Sequence, residues 1–261
     1  MNGVITVVGR ATLEGLRWLG EAQLLLQRAL AFIVRGRVRS GEMVSQMAVL
    51  GFDSLPIVVL TLASVGMVIA LNTARQTVSL GMTELGPGLV AVSLARELGP
   101  VVTAVVVAAR VGSAIAAELG SMKITDQVDA MRSLAVSPVE YLVVPRMVGA
   151  IVMLPVLTVL GDAAGGLGAY GIGSVQGISH QVFIRSVQRF LEGSDVFGGL
   201  AKAAVFGFII SLVACHVGLR TRGGAAGVGR STTSAVVISI VLIFLSDYFL
   251  TWILLALTAG T

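Results

Sequence analysis

An all-α integral membrane protein is the fold class this sequence predicts, and three observations carry it. Of 261 residues, 56% are hydrophobic and only 12% are charged, against roughly 25% charge in a soluble domain. Mean hydropathy is +0.94, and five charge-poor segments recur, each long enough to cross about 30 Å of hydrocarbon. Thirty-two glycines suit closely approaching membrane helices. The expected architecture is an N-terminal interfacial amphipathic helix, five transmembrane helices, and a short cytoplasmic helix between the second and third spans. Two regions follow: a cytoplasmic or interfacial segment over 1–50 and a transmembrane domain over 51–261.

The chain opens too charged to span. On a helix over residues 10–35, Arg10, Glu14, Glu21, Arg28 and Arg35 share one face, and Trp18, Ala22, Leu25, Ala29 and Phe32 another. That suits a helix lying in the membrane interface with its aromatic side towards acyl chains. Packing on the protein's own spans is the alternative, and both can hold. No cleavable signal peptide is expected, because the first charge is Arg10 and an amphipathic stretch follows it. Arg35, Arg37 and Arg39 then mark a cytoplasmic segment.

Ser54 to Ala74 is charge-free and forms the first span, with Arg75 and Glu84 in a short external turn. Pro87 to Leu119 is apolar but interrupted by Arg96, Glu97 and Arg110. At 1.5 Å per residue it exceeds one simple crossing, so a tilted, broken or partly re-entrant helix is expected. Pro100, which deletes a helical hydrogen bond, is the expected break. Ala104, Ala108, Gly112, Ala116 and Gly120 recur every fourth residue, a stripe that lets another helix approach.

The third span runs from about Met147 to Ile172, with Gly161, Gly165, Ala169, Gly173 and Gly177 at the same spacing. Ser179 to Asp195 is an external loop or short surface helix. The fourth span, Val196 to Leu219, contains Lys202, and Arg220, Arg222 and Arg230 flank a glycine-rich turn. The fifth, Ser234 to Leu257, contains Asp247. Placing the N-terminus inside gathers Lys123, Arg132, Arg146, Arg220, Arg222, Arg230 and the N-terminal arginines in the cytoplasm, leaving Arg75, Arg185 and Arg189 outside. The positive-inside rule therefore gives a cytoplasmic N-terminus and an external C-terminus.

Between the second and third spans, Ser121 to Arg132 is too polar to span. Thr125 can cap a helix whose first turn holds Asp126 and Asp129, favourable beside the positive helix end. Gln127 lies in the same turn, and Val128 and Met131, three apart, present apolar knobs on one side. The segment is a coupling helix that docks into a groove on an ATPase subunit, or else an ordinary interfacial helix.

Glu97-Leu-Gly-Pro100, then Ala109-Arg110-Val-Gly112-Ser-Ala-Ile-Ala-Ala-Glu118-Leu-Gly120-Ser-Met122, Thr125-Asp126-Gln127-Val-Asp129-Ala130, Pro138 and Tyr141-Leu-Val-Val-Pro145-Arg146 together resemble the MlaE/YrbE permease family. Gly227-Val-Gly229-Arg230-Ser-Thr-Thr resembles a second patch of that family, and the likeness covers about 10–257. Ala109 stands where the family usually has Gly, and Asp126 where it usually has Glu.

The resemblance implies the membrane subunit of an Mla/Mce-type ABC lipid transporter in the bacterial inner membrane. Its implied partners are a second copy of itself, an ABC ATPase dimer, a periplasmic MCE-domain lipid-binding protein and a small STAS-domain subunit. ATP and Mg would bind the ATPase, with no cofactor on this chain and no nucleic acid. Phospholipid would occupy a cavity between the two permease copies, and outer-membrane lipid asymmetry would depend on its movement.

A charge at mid-membrane costs about 2.5–3.5 kcal/mol on insertion scales, so such residues face a partner or a wet cavity. Arg96, Glu97, Lys202 and Asp247 fall inside or at the rim of predicted spans. Glu97, Lys202 and Asp247 are expected to cluster near the lipid cavity, with Arg96 meeting a lipid phosphate; a purely structural ion-pair network is the alternative.

Gly224 to Ser231 nearly spells a phosphate-binding loop, but Arg230 replaces its lysine and no strand precedes it, so a tight turn is expected. His180 and His216 lack metal-ligand spacing, Cys215 reads as a buried small hydrophobe, and no nucleophile–base pair is visible. The chain is therefore not expected to be an enzyme on its own. The rival function is an ion-coupled secondary carrier or channel for a hydrophobic substrate, which the lack of an inverted repeat disfavours.

Overall fold

A computed structural model describes residues 2–36, 40–79 and 81–258, excepting the side chains of 2–11, 78, 257 and 258. The expected contributions of Arg10, Arg37, Arg39 and Leu257 lie outside the described side chains. Among the described residues there is no strand. Eight helices follow in order: α1 (Asn2–Val34), α2 (Ser40–Ser79), α3 (Gly86–Ile124), α4 (Gln127–Ser133), α5 (Val139–Val175), α6 (His180–Phe190), α7 (Gly193–Leu219) and α8 (Gly224–Thr258). Five of them, α2, α3, α5, α7 and α8, are long and apolar enough to cross a membrane.

α2 begins well before the expected Ser54 and runs unbroken through residue 50. Asp53 lies just before that expected start, and its carboxylate is 3.5 Å from the Arg110 guanidinium on α3, so the charge is partnered where the helix passes it. α2 crosses α5 at glycines. A side chain on Gly66 would strike the Gly165 carbonyl, and one on Gly168 the Ala63 carbonyl, so absent Cβ atoms set the contact distance.

α3 is not broken at Pro100. It is one continuous helical run with two widened π-turns, Leu94–Leu98 and Ala108–Gly112. The first ends where Gly99-Pro100 begins the next α-helical stretch. Proline's missing N–H therefore falls where the hydrogen-bond register is already changing. Along the expected stripe Ala104, Ala108 and Ala116 are fully buried, while Gly112 faces Ile210 and Gly120 faces Thr221, both beyond α3 in the chain.

The stripe on α5 ends at Gly173, one stripe position earlier than expected. Gly177 lies past the helix with φ +86°. Its N–H donates to the Ser174 carbonyl and that of Ile178 to the Gly173 carbonyl, a left-handed termination for which glycine carries no Cβ penalty. α6 then forms the surface-helix option, capped by Ser179, whose hydroxyl accepts from the Val182 N–H at 3.4 Å. The Gly88 N–H donates to Ser186 Oγ at 2.8 Å, and the Ser186 hydroxyl donates to the Glu84 carbonyl. α6 thus sits at the start of α3 and α4 at its end, on opposite ends of the bundle.

Two further expectations change. The glycine-rich segment from Gly224 is the first part of α8, not a turn, and the turn is confined to 220–223. In α1, the side bearing Trp18, Ala22, Leu25, Ala29 and Phe32 faces the protein rather than acyl chains. Ala29 is fully buried, the Trp18 ring meets His216 edge-on at 5.0 Å, and Glu21 pairs with Arg220 at 3.1 Å. The outward apolar residues are Leu13, Leu16, Leu19, Leu24 and Leu30. At 3.6 residues per turn these fall on the opposite half of the helix.

Candidate functional site

The first π-turn of α3 carries Arg96 and Glu97, and they diverge. Arg96 Nε pairs with Asp195 in the first turn of α7. Glu97 points instead to Lys202, further along α7, at 2.7 Å. Lys202 is 2% exposed, and its ammonium also reaches Asp247 at 3.0 Å, Thr251 Oγ1 at 2.7 Å and the Arg96 carbonyl at 3.2 Å. The Thr251 hydroxyl lies 2.8 Å from the Asp247 carbonyl and 3.2 Å from Glu97 Oε1. Its one hydrogen serves one of these acceptors while a lone pair receives Lys202.

The predicted trio of Glu97, Lys202 and Asp247 is thus brought together from three helices. Arg96 is not a free cation waiting for an anion, because Asp195 holds it at the rim. Thr251 was not foreseen; its signal is the spacing of four from Asp247, which places both on one face of α8. Each ionised group here is costly in hydrocarbon, and each has a counter-charge, which offsets that cost.

The cluster floors a cavity of about 300 Å³. Arg96, Glu97, Ser194, Asp195, Lys202 and Thr251 supply its polar part, and Val92, Gly198, Gly199, Leu254 and Leu255 its apolar wall. Geometrically it accepts a molecule with a polar end and an apolar body.

α4 forms the second candidate site. Thr125 does not cap it: its hydroxyl donates back to the Ser121 carbonyl at 2.9 Å, ending α3. Asp126 takes the cap position in a left-handed conformation, φ 58°. Asp129 binds Lys123 at 2.6 Å and Arg132 at 3.0 Å. The hydrogen bond from Lys123, aided by both positive charges, holds its carboxyl below the usual 3.8.

The expected apolar knobs face the wrong way for a partner. Val128 is fully buried in this chain's own core, and Met131 packs partly against it. The outward residues are Gln127, Ala130 and Leu134, with Leu134 77% exposed. Leu134 was missed because it caps the helix end, although its spacing of seven from Gln127 puts it on that face. Behind α4, buried Arg146 ties α5 to α3 through Glu118 at 2.7 Å and donates to the Leu142 carbonyl at 2.7 Å.

Comparison with known proteins agrees with this layout. The family model described as Permease MlaE matches residues 43–253. A probable ABC transporter permease protein of Synechocystis sp. is 44% identical over 244 residues, 93% of each chain. One from Rickettsia felis is 40% identical, covering 94% of this chain and 95% of its own. The chloroplastic protein Trigalactosyldiacylglycerol 1 of Arabidopsis thaliana is 38% identical, covering 89% of this chain and 67% of its own. With five candidate spans, and with matched residues that run from α2 into α8 and include both sites, the chain belongs to the MlaE permease family of ABC transporter membrane subunits.

Proposed function

We propose that this permease moves phospholipid, or a related lipid, between the inner membrane and a periplasmic carrier, and so maintains outer-membrane lipid asymmetry. The observation that carries the reading is the cavity over Lys202, whose paired charges lie beside apolar walls. A headgroup matches the former and acyl chains the latter. The Arabidopsis relative bears a glycerolipid in its name, which points the same way.

The working unit is a homodimer on two ATP-hydrolysing subunits, with an MCE-domain protein and a small STAS-domain subunit as further partners. α8 supports the self-association: Val237, Phe244, Tyr248, Phe249 and Trp252 are each more than half exposed, an apolar surface that lipid or a second copy would cover. ATP and Mg act on the partner, and Gln127, Ala130 and Leu134 on α4 receive its motion. The N-terminus and α4 lie in the cytoplasm and the C-terminus in the periplasm.

The test is reconstitution of the complex in proteoliposomes with a fluorescent phospholipid and the MCE protein as acceptor. ATP-dependent transfer, lost in Lys202→Met while the complex still assembles, is the expected result. Transfer that persists without ATP, or is unchanged in the assembled variant, would sink the reading.

A further inference from the structure

Where α1, the stretch after α4 and the end of α7 meet, the structure holds a cavity of about 640 Å³, remote from the Lys202 cluster. Three arginines from three different segments line it: Arg28 of α1, Arg132 of α4 and Arg220 just past α7. Arg132 is satisfied by Asp129 at 3.0 Å and Arg220 by Glu21 at 3.1 Å. Arg28 forms no ion pair among the described residues. Glu21 is the one carboxylate in the lining, so the cavity carries an excess of positive charge.

A second, independent observation points to a ligand. His216 also lines this cavity. It is 4% exposed, and its Nε2 is buried with no hydrogen-bond partner. A buried polar nitrogen without a partner is costly, and an added acceptor or donor would relieve it.

The position says what kind of anion. The outward leucines of α1, Leu16 and Leu24 among them, form a charge-free face suited to the membrane interface. The cavity opens beside that face, with Leu24 belonging to both, so a helix lying in the interface would bring it within reach of lipid headgroups. Leu24, Leu25, Val136 and Leu219 form its apolar rim, which suits the start of acyl chains.

We propose that this cavity binds the phosphate group of an anionic phospholipid from the leaflet on the α4 side of the membrane. Arg28 is the principal partner, Arg132 and Arg220 add charge-assisted contacts, and His216 Nε2 donates to a phosphate oxygen. A headgroup held there ties α1 to the exit of α4 and the end of α7, so membrane composition sets how firmly the α4 segment is anchored. The shared chemistry is a phosphate anion; the leucine rim favours the lipid over free phosphate. The inference is independent of which molecule the transporter carries.

The chain supplies its own reporter. Trp18 and Trp252 are its only tryptophans, and the Trp18 ring lies against His216. In a full-length Trp252→Phe chain in detergent, Trp18 emission is titrated with short-chain phosphatidylglycerol, short-chain phosphatidylcholine and inorganic phosphate. A saturable change with phosphatidylglycerol alone is expected, weakened about tenfold by Arg28→Gln and largely kept by Arg28→Lys. No response, an equal response to phosphatidylcholine, or an unchanged affinity in Arg28→Gln would overturn the site. Saturation by inorganic phosphate at matching concentration would overturn the lipid assignment. If Arg28→Gln keeps the lipid response but loses a co-purifying ATPase, the cavity is a protein dock and the proposal fails.

Discussion

Lys202 and Glu97, 105 residues apart in sequence, meet ammonium to carboxylate at 2.7 Å across the α3–α7 interface. The same ammonium holds Asp247, so one cation restrains two acids. Lys202→Met leaves those acids facing each other without a counter-charge. Breaking a buried pair from one side costs about 3–5 kcal/mol, and solvent reaching Glu97 places this case near the lower figure. The thermal midpoint of the purified chain is expected to fall, and adding Glu97→Gln and Asp247→Asn to recover most of the loss. A triple variant no more stable than the single one would mean that Lys202 matters for packing rather than charge.

Glycine substitutions should separate by what each Cβ would meet. At Gly207 the new atom would press on the Ala150 backbone carbonyl, which cannot rotate away. Gly207→Ala is expected to destabilise by about 1–3 kcal/mol, the usual range for overpacking. A methyl group on Gly166, in α5, would meet nothing within 4 Å. Gly166→Ala is expected to be neutral or stabilising by up to about 1 kcal/mol, through helix propensity. Denaturation of the two variants side by side checks the contrast.

On α4, surface and core roles fall on different residues. Leu134→Asp is expected to abolish ATPase co-purification while leaving stability within about 0.5 kcal/mol of the parent. Val128→Ala should do the reverse, losing about 2 kcal/mol of stability through lost burial while retaining the ATPase. Loss of the ATPase from Val128→Ala alone, at unchanged stability, would return the docking role to the buried residue.

Acid should loosen α4 through Asp129. Its folded-state pKa lies below 3.8, so its contribution is complete above that value and disappears as pH falls through the folded pKa. Hydrogen exchange across 125–133 is expected to accelerate over that window in the parent chain. In Asp129→Asn it should be fast already at neutral pH and lack the acid step.

Much of the bundle was legible because hydropathy records membrane crossing directly. The charge cluster was legible because ionised groups in hydrocarbon need partners, and Glu97, Lys202 and Asp247 offered complementary signs. Partnering also lets a helix run past a charge-free window: α2 carries Asp53, paired with Arg110, one residue before Ser54. Periodicity separates the faces of a helix but does not say which neighbour each face meets. Hence the Trp18 face of α1 turned inward, and on α4 Val128 is buried while Leu134 is exposed. The π-turns left no trace in composition, since they depend on how the whole of α3 is packed.

Those π-turns bear on how this chain tolerates changes of length. A π-turn accommodates one residue beyond an α-turn. Removing a single residue within 94–98 would let the turn close to ordinary α geometry with the later part of α3 still in phase. The same deletion in the α-helical stretch between the two π-turns would rotate the residues that follow it by about 100°, carrying the stripe away from α7. The two π-turns are therefore the places in α3 where the chain can be shortened without re-registering the helix, and shortening it at the first re-aims Arg96 and Glu97.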